Sequence, residues 1–404
     1  MRTVYIILIM FIFCIAQPVY AYSVAAVKFS PDGDTDWNYI IGDQNYGGMD
    51  LDMAYDGSKF IYLSTTELIR INKYGTDDIS KEISSYYLTP DMEGYIYFLE
   101  SFDNVAKVDS SLSYLWKTDY STFEPDYLCV NSENKLIVIG YYSPENGSFI
   151  KNYVVKKYNE DGDVLWTIDS FPGFNIRIIN AFVTITDHLM LLAYINDYVA
   201  IILYDDTGIL ESEFYIDDIS REYAIIDSFI NIYLSELGVW KYSLDGELKW
   251  HFSKNEITVK EMSLDSDENI IGIGTVPYDF QKNDPENLVT FKLDPDGNLL
   301  WWKKYERESV SAKRLLVDSE DNVIVTGYEG KKDVEIPYDT KFFALKLDPD
   351  GELLWHETYQ PFEGYSAFAS DATLDDENNI YIAGYSYDYT DGDDDDDEPG
   401  CGCF

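Results

Sequence analysis

The chain has 404 residues and carries 74 acidic against 29 basic side chains, a formal net charge of −45 at pH 7. A field of that sign repels phosphate backbones and anionic membrane surfaces, so we expect no nucleic-acid partner, whereas divalent cations and basic proteins are attracted. The 4 cysteines are too few for a disulfide framework.

Residues 1–21 have the organisation of a secretory signal peptide. Arg2 gives a short basic start, residues 4–16 are almost wholly apolar, and residues 19–21 (Val-Tyr-Ala) suit signal peptidase. The apolar run is shorter than the roughly 20 residues of a membrane-spanning helix, and no later stretch is long and apolar enough. We therefore expect cleavage after Ala21, no transmembrane segment afterwards, and a secreted, periplasmic or cell-surface protein.

One phrase recurs along the rest of the chain. Its clear copies, such as Leu-Asp-Pro-Asp-Gly-Asn-Leu-Leu-Trp, lie at residues 27–37, 155–166, 240–250, 291–301 and 345–355, and weaker copies surround Gly75, Trp116 and Gly208. Apolar residues alternate on both sides of an Asp/Gly turn, which predicts a β-hairpin whose glycine adopts the left-handed conformation. The repeated residues are predicted to be structural: Trp37, Trp116, Trp166, Trp250, Trp301, Trp355, Gly33, Gly162, Gly246, Gly297 and Gly351.

A second phrase alternates with the first. It is clearest at residues 264–274, 317–327 and 374–384, with looser versions around residues 56, 93, 133, 187 and 227. It also predicts strand, polar turn and strand, and its second strand often ends at a glycine.

Together the two phrases predict two hairpins, or four short strands, in each repeat. Four-stranded units of roughly 40 to 50 residues predict an all-β fold, a single β-propeller. Counting eight copies of each phrase predicts eight blades, with seven as the alternative because some copies are weak. The propeller domain spans residues 22–388. Since the first phrase opens it and the second ends it, we expect N-terminal and C-terminal strands to pair and close the ring.

The phrases resemble the bacterial PQQ-like and SBBP-type propeller repeats, most closely over residues 240–388. This resemblance implies a disc of radial sheets, usually in an exported bacterial protein, and no single activity. Quinone-dependent catalysis is not expected, because the turns lack the Thr-Gly-Lys of the quinoprotein dehydrogenases and no two cysteines are adjacent. The lipidated cysteine of the propeller that assists outer-membrane protein assembly is also missing.

No catalytic residues are predicted, since no hydrolase, metalloprotease or nucleotide-binding motif is present. We expect no cofactor and no dedicated metal site. The Asp-rich turns are read as turn chemistry, with weak calcium binding as the alternative.

Two long connections between the phrases, residues 276–287 and 329–339, mix aromatic and charged groups, as recognition loops on rigid scaffolds do. The candidate binding residues there are Tyr278, Asp279, Lys282, Lys331, Lys332 and Tyr338. Residues 389–404 predict an acidic, disordered tail ending in Cys-Gly-Cys-Phe, suited to surface attachment.

The sequence thus predicts an exported, monomeric, non-enzymatic scaffold that binds a protein or carbohydrate. The alternative is an extracellular polysaccharide hydrolase or lyase with catalytic residues on its loops.

Overall fold

The computed structural model describes the following parts of the chain: residues 22–44, 51–65, 67–76, 78–100, 104–119, 123–142, 152–169, 176–184, 186–195, 198–217, 223–229, 231–276, 287–305, 309–331, 339–363 and 365–387. Within these residues the regular secondary structure is entirely β-strand, and no helix able to cross a membrane is found among them.

Thirty-two strands form eight antiparallel sheets of four. Blades 1 to 4 contain β3 (Asp52–Tyr55), β4 (Phe60–Ser64), β5 (Leu68–Asn72) and β6 (Asp78–Lys81); β7 (Ser85–Pro90), β8 (Ile96–Glu100), β9 (Asn104–Val108) and β10 (Tyr114–Asp119); β11 (Phe123–Val130), β12 (Leu136–Tyr142), β13 (Asn152–Tyr158) and β14 (Val164–Asp169); β15 (Ile176–Val183), β16 (Leu189–Ile195), β17 (Tyr198–Tyr204) and β18 (Leu210–Asp217).

Blades 5 to 7 continue in the same order. They contain β19 (Ala224–Ile226), β20 (Ile232–Glu236), β21 (Gly238–Tyr242) and β22 (Leu248–Phe252); β23 (Thr258–Leu264), β24 (Ile270–Val276), β25 (Asn287–Leu293) and β26 (Leu299–Tyr305); β27 (Ser309–Val317), β28 (Val323–Lys331), β29 (Asp339–Leu347) and β30 (Leu353–Tyr359). Blade 8 joins the two ends of the described chain through β31 (Ser366–Leu374), β32 (Ile380–Tyr387), β1 (Tyr22–Phe29) and β2 (Thr35–Gln44).

The blades form a closed ring, an eight-bladed β-propeller, so the prediction of eight blades is confirmed and seven is excluded. Eight buried apolar clusters lie one between each pair of neighbouring blades, including the pair formed by blades 8 and 1. The alternating apolar side chains of each sheet therefore face the next blade on both sides, which is why one blade cannot bury its surface alone.

Closure occurs in blade 8, as predicted. Strand β1 pairs with β2 on one edge and with β32 on the other, so Val27 lies opposite both Asn38 and Ile382. The N-terminal and C-terminal strands thus complete one sheet and fasten the ring.

Both predicted turns of each blade lie on one side of the disc, which we call the turn face; the connections between hairpins lie on the opposite, loop face. At residues 348–352 the Asp348 N–H donates to the Glu352 carbonyl and the Gly351 N–H donates to the Asp348 carbonyl, and Gly351 adopts a φ of 79°. The first strand of blades 1 to 7 and β31 of blade 8 are the inner strands, which line the central channel.

Candidate functional site

The repeated tryptophans lock six of the eight blades to the next blade on the turn face. Trp301 packs on Gly351 of the following blade, and its indole N–H donates to the Pro349 carbonyl at 3.0 Å. Corresponding packing joins Trp355 to Gly33, Trp37 to Gly75, Trp116 to Gly162, Trp166 to Gly208, and Trp250 to Gly297; Phe214 takes this place against Gly246. These aromatic rings and glycines therefore pack against each other across the boundaries between blades.

Buried lysines form a second set of links beneath the turn face. Lys346 lies 2.9 Å from the Asp318 carboxylate of its own blade, and its ammonium also donates to the Pro31 carbonyl of the next blade. Lys292 repeats this arrangement, with Asp265 at 2.7 Å. The first turn residue uses its other carboxylate oxygen as a turn acceptor: Asp265 Oδ1 accepts backbone N–H bonds from two later turn residues.

In such turns the first aspartate thus accepts turn hydrogen bonds and pairs with a buried lysine. Among the described residues, no group of three or more His, Cys, Asp or Glu side chains is placed to hold a metal ion. A shallow cavity of about 290 Å³ on the turn face is lined by residues of blades 1, 2 and 3, including Tyr55, Met92 and Asn131.

Only one of the six candidate binding residues belongs to the residues that the structure describes. Tyr278, Asp279, Lys282, Lys332 and Tyr338 fall outside the described residues, and Lys331 ends β28. They remain predictions.

The inner strands carry an irregularity that sequence reasoning missed. In six of the eight, the pairing register to the second strand shifts by one or more residues. Bulges of this kind re-aim side chains and are frequent near functional sites. Four of the glycines that end the second phrase lie beside such a bulge: a Cβ on Gly327 would stand 2.0 Å from the Ser311 carbonyl oxygen. The glycines are thus required by the close approach of the bulged strand.

In every blade, the residue four positions before the first residue of the turn occupies the equivalent place in the inner segment, and in the six bulged strands it lies in the bulge or directly after it. We call these eight residues the channel ring: Asp52, Tyr87, Tyr127, Asn180, Tyr223, Glu261, Arg314 and Asp371. The types differ from blade to blade. Tyr87 and Tyr127, whose ring centroids are 6.3 Å apart, lie on one arc, and the charged members lie on blades 6, 7, 8 and 1.

Ring side chains reach the backbone of the following blade. The Leu315 N–H donates to Glu261 at 2.7 Å, and the Met53 N–H donates to Asp371 at 2.9 Å. The Tyr127 hydroxyl donates to the Ile179 carbonyl at 2.7 Å. Inner-strand backbone groups that have no strand partner are thereby satisfied, as buried polar groups require.

Arg314 lies in front of two carboxylates. Its guanidinium is 3.1 Å from Glu261 and 3.0 Å from Asp371. The arginine side chain remains 41% accessible, whereas those of Glu261 and Asp371 are only 8% and 13% accessible. The arginine is therefore the accessible member of this group, and the two less accessible acids, on the neighbouring blades 6 and 8, lie on either side of it.

Burial alters the charge of these acids. It raises the pKa of Glu261 to about 7 despite the neighbouring Arg314; Asp371 and Tyr223 are the other ionisable groups that face it. Burial, with the charge of Asp371, also raises the pKa of Asp52 well above its ordinary value. The Glu261 carboxyl is therefore partly protonated at neutral pH, and burial favours the neutral form of Asp52 as well.

The channel ring was missed because its members share no residue type. A signal was nevertheless present: once the turns are aligned, one fixed position before each turn varies freely between acids, arginine, asparagine and tyrosine, while the position that follows it is always Met, Leu or Ala. Freedom of type at a fixed register is typical of a functional surface on a repeat scaffold.

Comparison with solved structures gives the same architecture. The Dos1 propeller superposes with a TM-score of 0.53 at 11% identity, covering 84% of this chain and 93% of that one. Prolyl oligopeptidase B from Galerina marginata gives 0.52 at 8% identity, covering 83% of this chain and 55% of that one. BamB from Moraxella catarrhalis gives 0.48 at 10% identity, covering 83% and 99%.

The likenesses to the Dos1 propeller and to prolyl oligopeptidase B show the propeller fold alone. No protein-family model matches the sequence, and neither does any curated protein. The finer resemblance to PQQ-like and SBBP-type repeats therefore remains a prediction.

Proposed function

We propose that this chain is an exported, non-enzymatic scaffold that binds a protein or carbohydrate ligand at or outside the cell surface. The carrying observation is the use made of the channel carboxylates: Glu261 and Asp371 each accept a backbone N–H from the next blade and flank the same arginine. A carboxylate engaged in this way is poorly placed to act as a nucleophile or base, whereas a rigid ring with variable positions suits recognition.

Export is proposed because residues 1–21 resemble a signal peptide. The protein is proposed to be a monomer that is attached to the surface through the acidic tail of residues 389–404. We further propose that the ligand approaches from the loop face, where the strands joined by the two long connections end.

The test is a binding screen of the purified protein against immobilised glycans and surface proteins, with product analysis of every ligand found. We expect saturable binding with the ligand recovered intact. Cleavage of a bound ligand, or failure to bind any glycan or protein presented, would overturn the proposal.

A polysaccharide hydrolase or lyase is the second candidate. It is favoured by one observation, the Glu261 carboxyl with a pKa of about 7 beside Arg314 and Tyr223, since a general acid works best with a pKa near the operating pH. Turnover of a uronate-containing or neutral polysaccharide that disappears in Glu261→Gln would establish this candidate.

A further inference from the structure

The inner strands of blades 6 and 7 carry cations towards the channel. Lys260 and Lys313 are the unpaired residues of the bulges in β23 and β27, they occupy equivalent positions in neighbouring blades, and both are exposed. Because neighbouring blades cover both faces of an inner strand and the second strand covers one edge, an exposed residue in its middle faces the channel.

These two lysines differ from the buried lysines of the turn face. In the described part of the chain, no carboxylate forms an ion pair with Lys260 or Lys313, although the chain has more than twice as many acids as bases. Arg314 follows Lys313 directly and also faces the channel. Three cations therefore lie on two adjacent inner strands, and the two acids that pair with Arg314 are less accessible than the arginine.

Aromatic rings adjoin this arc. The Lys313 ammonium lies 5.7 Å from the centroid of the Tyr328 ring. Tyr328 packs edge-on against Phe368, which stacks on Tyr385 at 5.5 Å, and all three rings are partly exposed. Their positions along β28, β31 and β32 place this aromatic group between the cations and the loop face.

We propose that this arc of the channel binds the carboxylate of an acidic sugar, a single uronate carried on an otherwise neutral glycan. This inference rests on the proposed binding function and names its ligand. A sugar acid needs a cation for its carboxylate, hydrogen-bonding groups for its hydroxyls and a flat apolar surface for its C–H face. The cations are Arg314 and the two lysines, and the hydrogen-bonding group is the Ser370 hydroxyl in blade 8. The flat surface is the ring of Tyr328.

The charge of the whole molecule limits the ligand to one carboxylate. Exposed charges farther away than about 8 Å are largely screened at physiological ionic strength, so the local cations govern a single uronate inside the channel. A polyuronate long enough to leave the channel meets the acidic exterior and is repelled. The site therefore favours one terminal uronate over a polyanion.

The experiment measures binding of the purified protein to a uronate-terminated neutral trisaccharide by calorimetry. Comparison with the methyl ester of the same trisaccharide measures how much the carboxylate charge contributes to the affinity. Comparison with a polyuronate tests whether the acidic exterior of the protein disfavours a ligand with many carboxylates. We expect Lys260→Gln/Lys313→Gln to weaken binding of the acid by at least about tenfold, since hydrogen bonds to charged groups are the stronger ones. The methyl ester should bind the parent protein about as weakly as the acid binds the variant.

A matched control is available in Lys59→Gln/Lys254→Gln, which makes the same change in net charge at the exposed Lys59 of blade 1 and at the partly exposed Lys254 of the segment between blades 5 and 6. It should change affinity by less than about twofold, because a distant surface charge is screened.

Equal loss in both double variants, equal binding of acid and ester, preference for the polyuronate, or no binding of the acid would each overturn the inference. A peptide with a free C-terminal carboxylate that binds more tightly than the sugar acid, and loses this in its amide, would also overturn it in favour of a protein ligand. The proposed scaffold function fails separately, through the broad screen.

Discussion

Gly351→Ala tests whether the tryptophan locks hold the ring together. A Cβ at this position would stand 2.7 Å from Cδ2 of Trp301, and Gly351 has a φ of 79°. The ring cannot retreat freely, because its N–H is bonded to the Pro349 carbonyl. We expect a loss of about 2–5 kcal/mol, made of roughly 1–2 kcal/mol for left-handed alanine and about 1–3 kcal/mol for overpacking.

Gly57→Ala is the matched control, since Gly57 has a similar φ of 73° but nothing within 4 Å of its Cβ position. It should lose only the roughly 1–2 kcal/mol of backbone strain. Urea unfolding followed by circular dichroism, with hydrogen exchange to check that the transitions coincide, measures both variants. Equal destabilisation of Gly351→Ala and Gly57→Ala would refute the packing argument, as would the absence of coupling between Gly351→Ala and Trp301→Leu.

Four further predictions concern ionisation and closure. Burial alone would raise the pKa of Asp318, but hydrogen bonds, including one from Lys346, lower it. The stability that this carboxylate contributes is present above its unfolded-state pKa of about 3.9 and is lost as the pH falls through its lower folded-state pKa. Asp318→Asn should therefore flatten the dependence of urea unfolding on acid pH. Lys346→Met should cost about 3–5 kcal/mol by leaving that carboxylate buried and unpaired, measured by the same unfolding curves; a loss below 1 kcal/mol contradicts this. Val27→Pro removes a hydrogen-bond donor from β1, the strand that closes the ring. As urea is added, hydrogen-exchange protection should therefore be lost in blade 8 at a lower concentration than in blade 4, and loss of both at the same concentration would contradict local closure. The Glu261 carboxyl, which pairs with Arg314, has a pKa of about 7. Its protonation removes a negative charge beside the arginine, so uronate affinity should rise as the pH falls through about 7. Calorimetry should find no such rise in Glu261→Gln.

The repeats predict the fold well because hairpin geometry is local. The turn at residues 348–352 needs an acceptor side chain at its start and a left-handed glycine near its end, and both requirements appear as letters in the sequence. Weak copies are still hairpins: residues 109–113 keep the aspartate acceptor although Leu112, with a φ of 58°, replaces the glycine. The turn therefore tolerates loss of its most visible residue.

The candidate site could not be predicted in the same way. Loop length and composition drew attention to residues 276–287 and 329–339, whereas the groups that converge in the structure lie in the middle of strands. Glu261 and Arg314 are far apart in the sequence, and only equivalent bulges in adjacent blades bring their charges to 3.1 Å. A bulge is a departure from regular pairing, so alternation of apolar residues gives no notice of it.

The bulge connects the architecture to recognition. One extra residue in an inner strand turns the following side chain towards the next blade, where an acid accepts an N–H and a tyrosine donates to a carbonyl. Several side-chain types satisfy that requirement, so the identity of a channel-ring residue is only loosely fixed by closure. The bulged residue itself faces the channel and is constrained even less, as Lys260 and Lys313 illustrate. Ligand preference can therefore change at these positions while the turn-face locks, which depend on particular tryptophans and glycines, keep the ring intact.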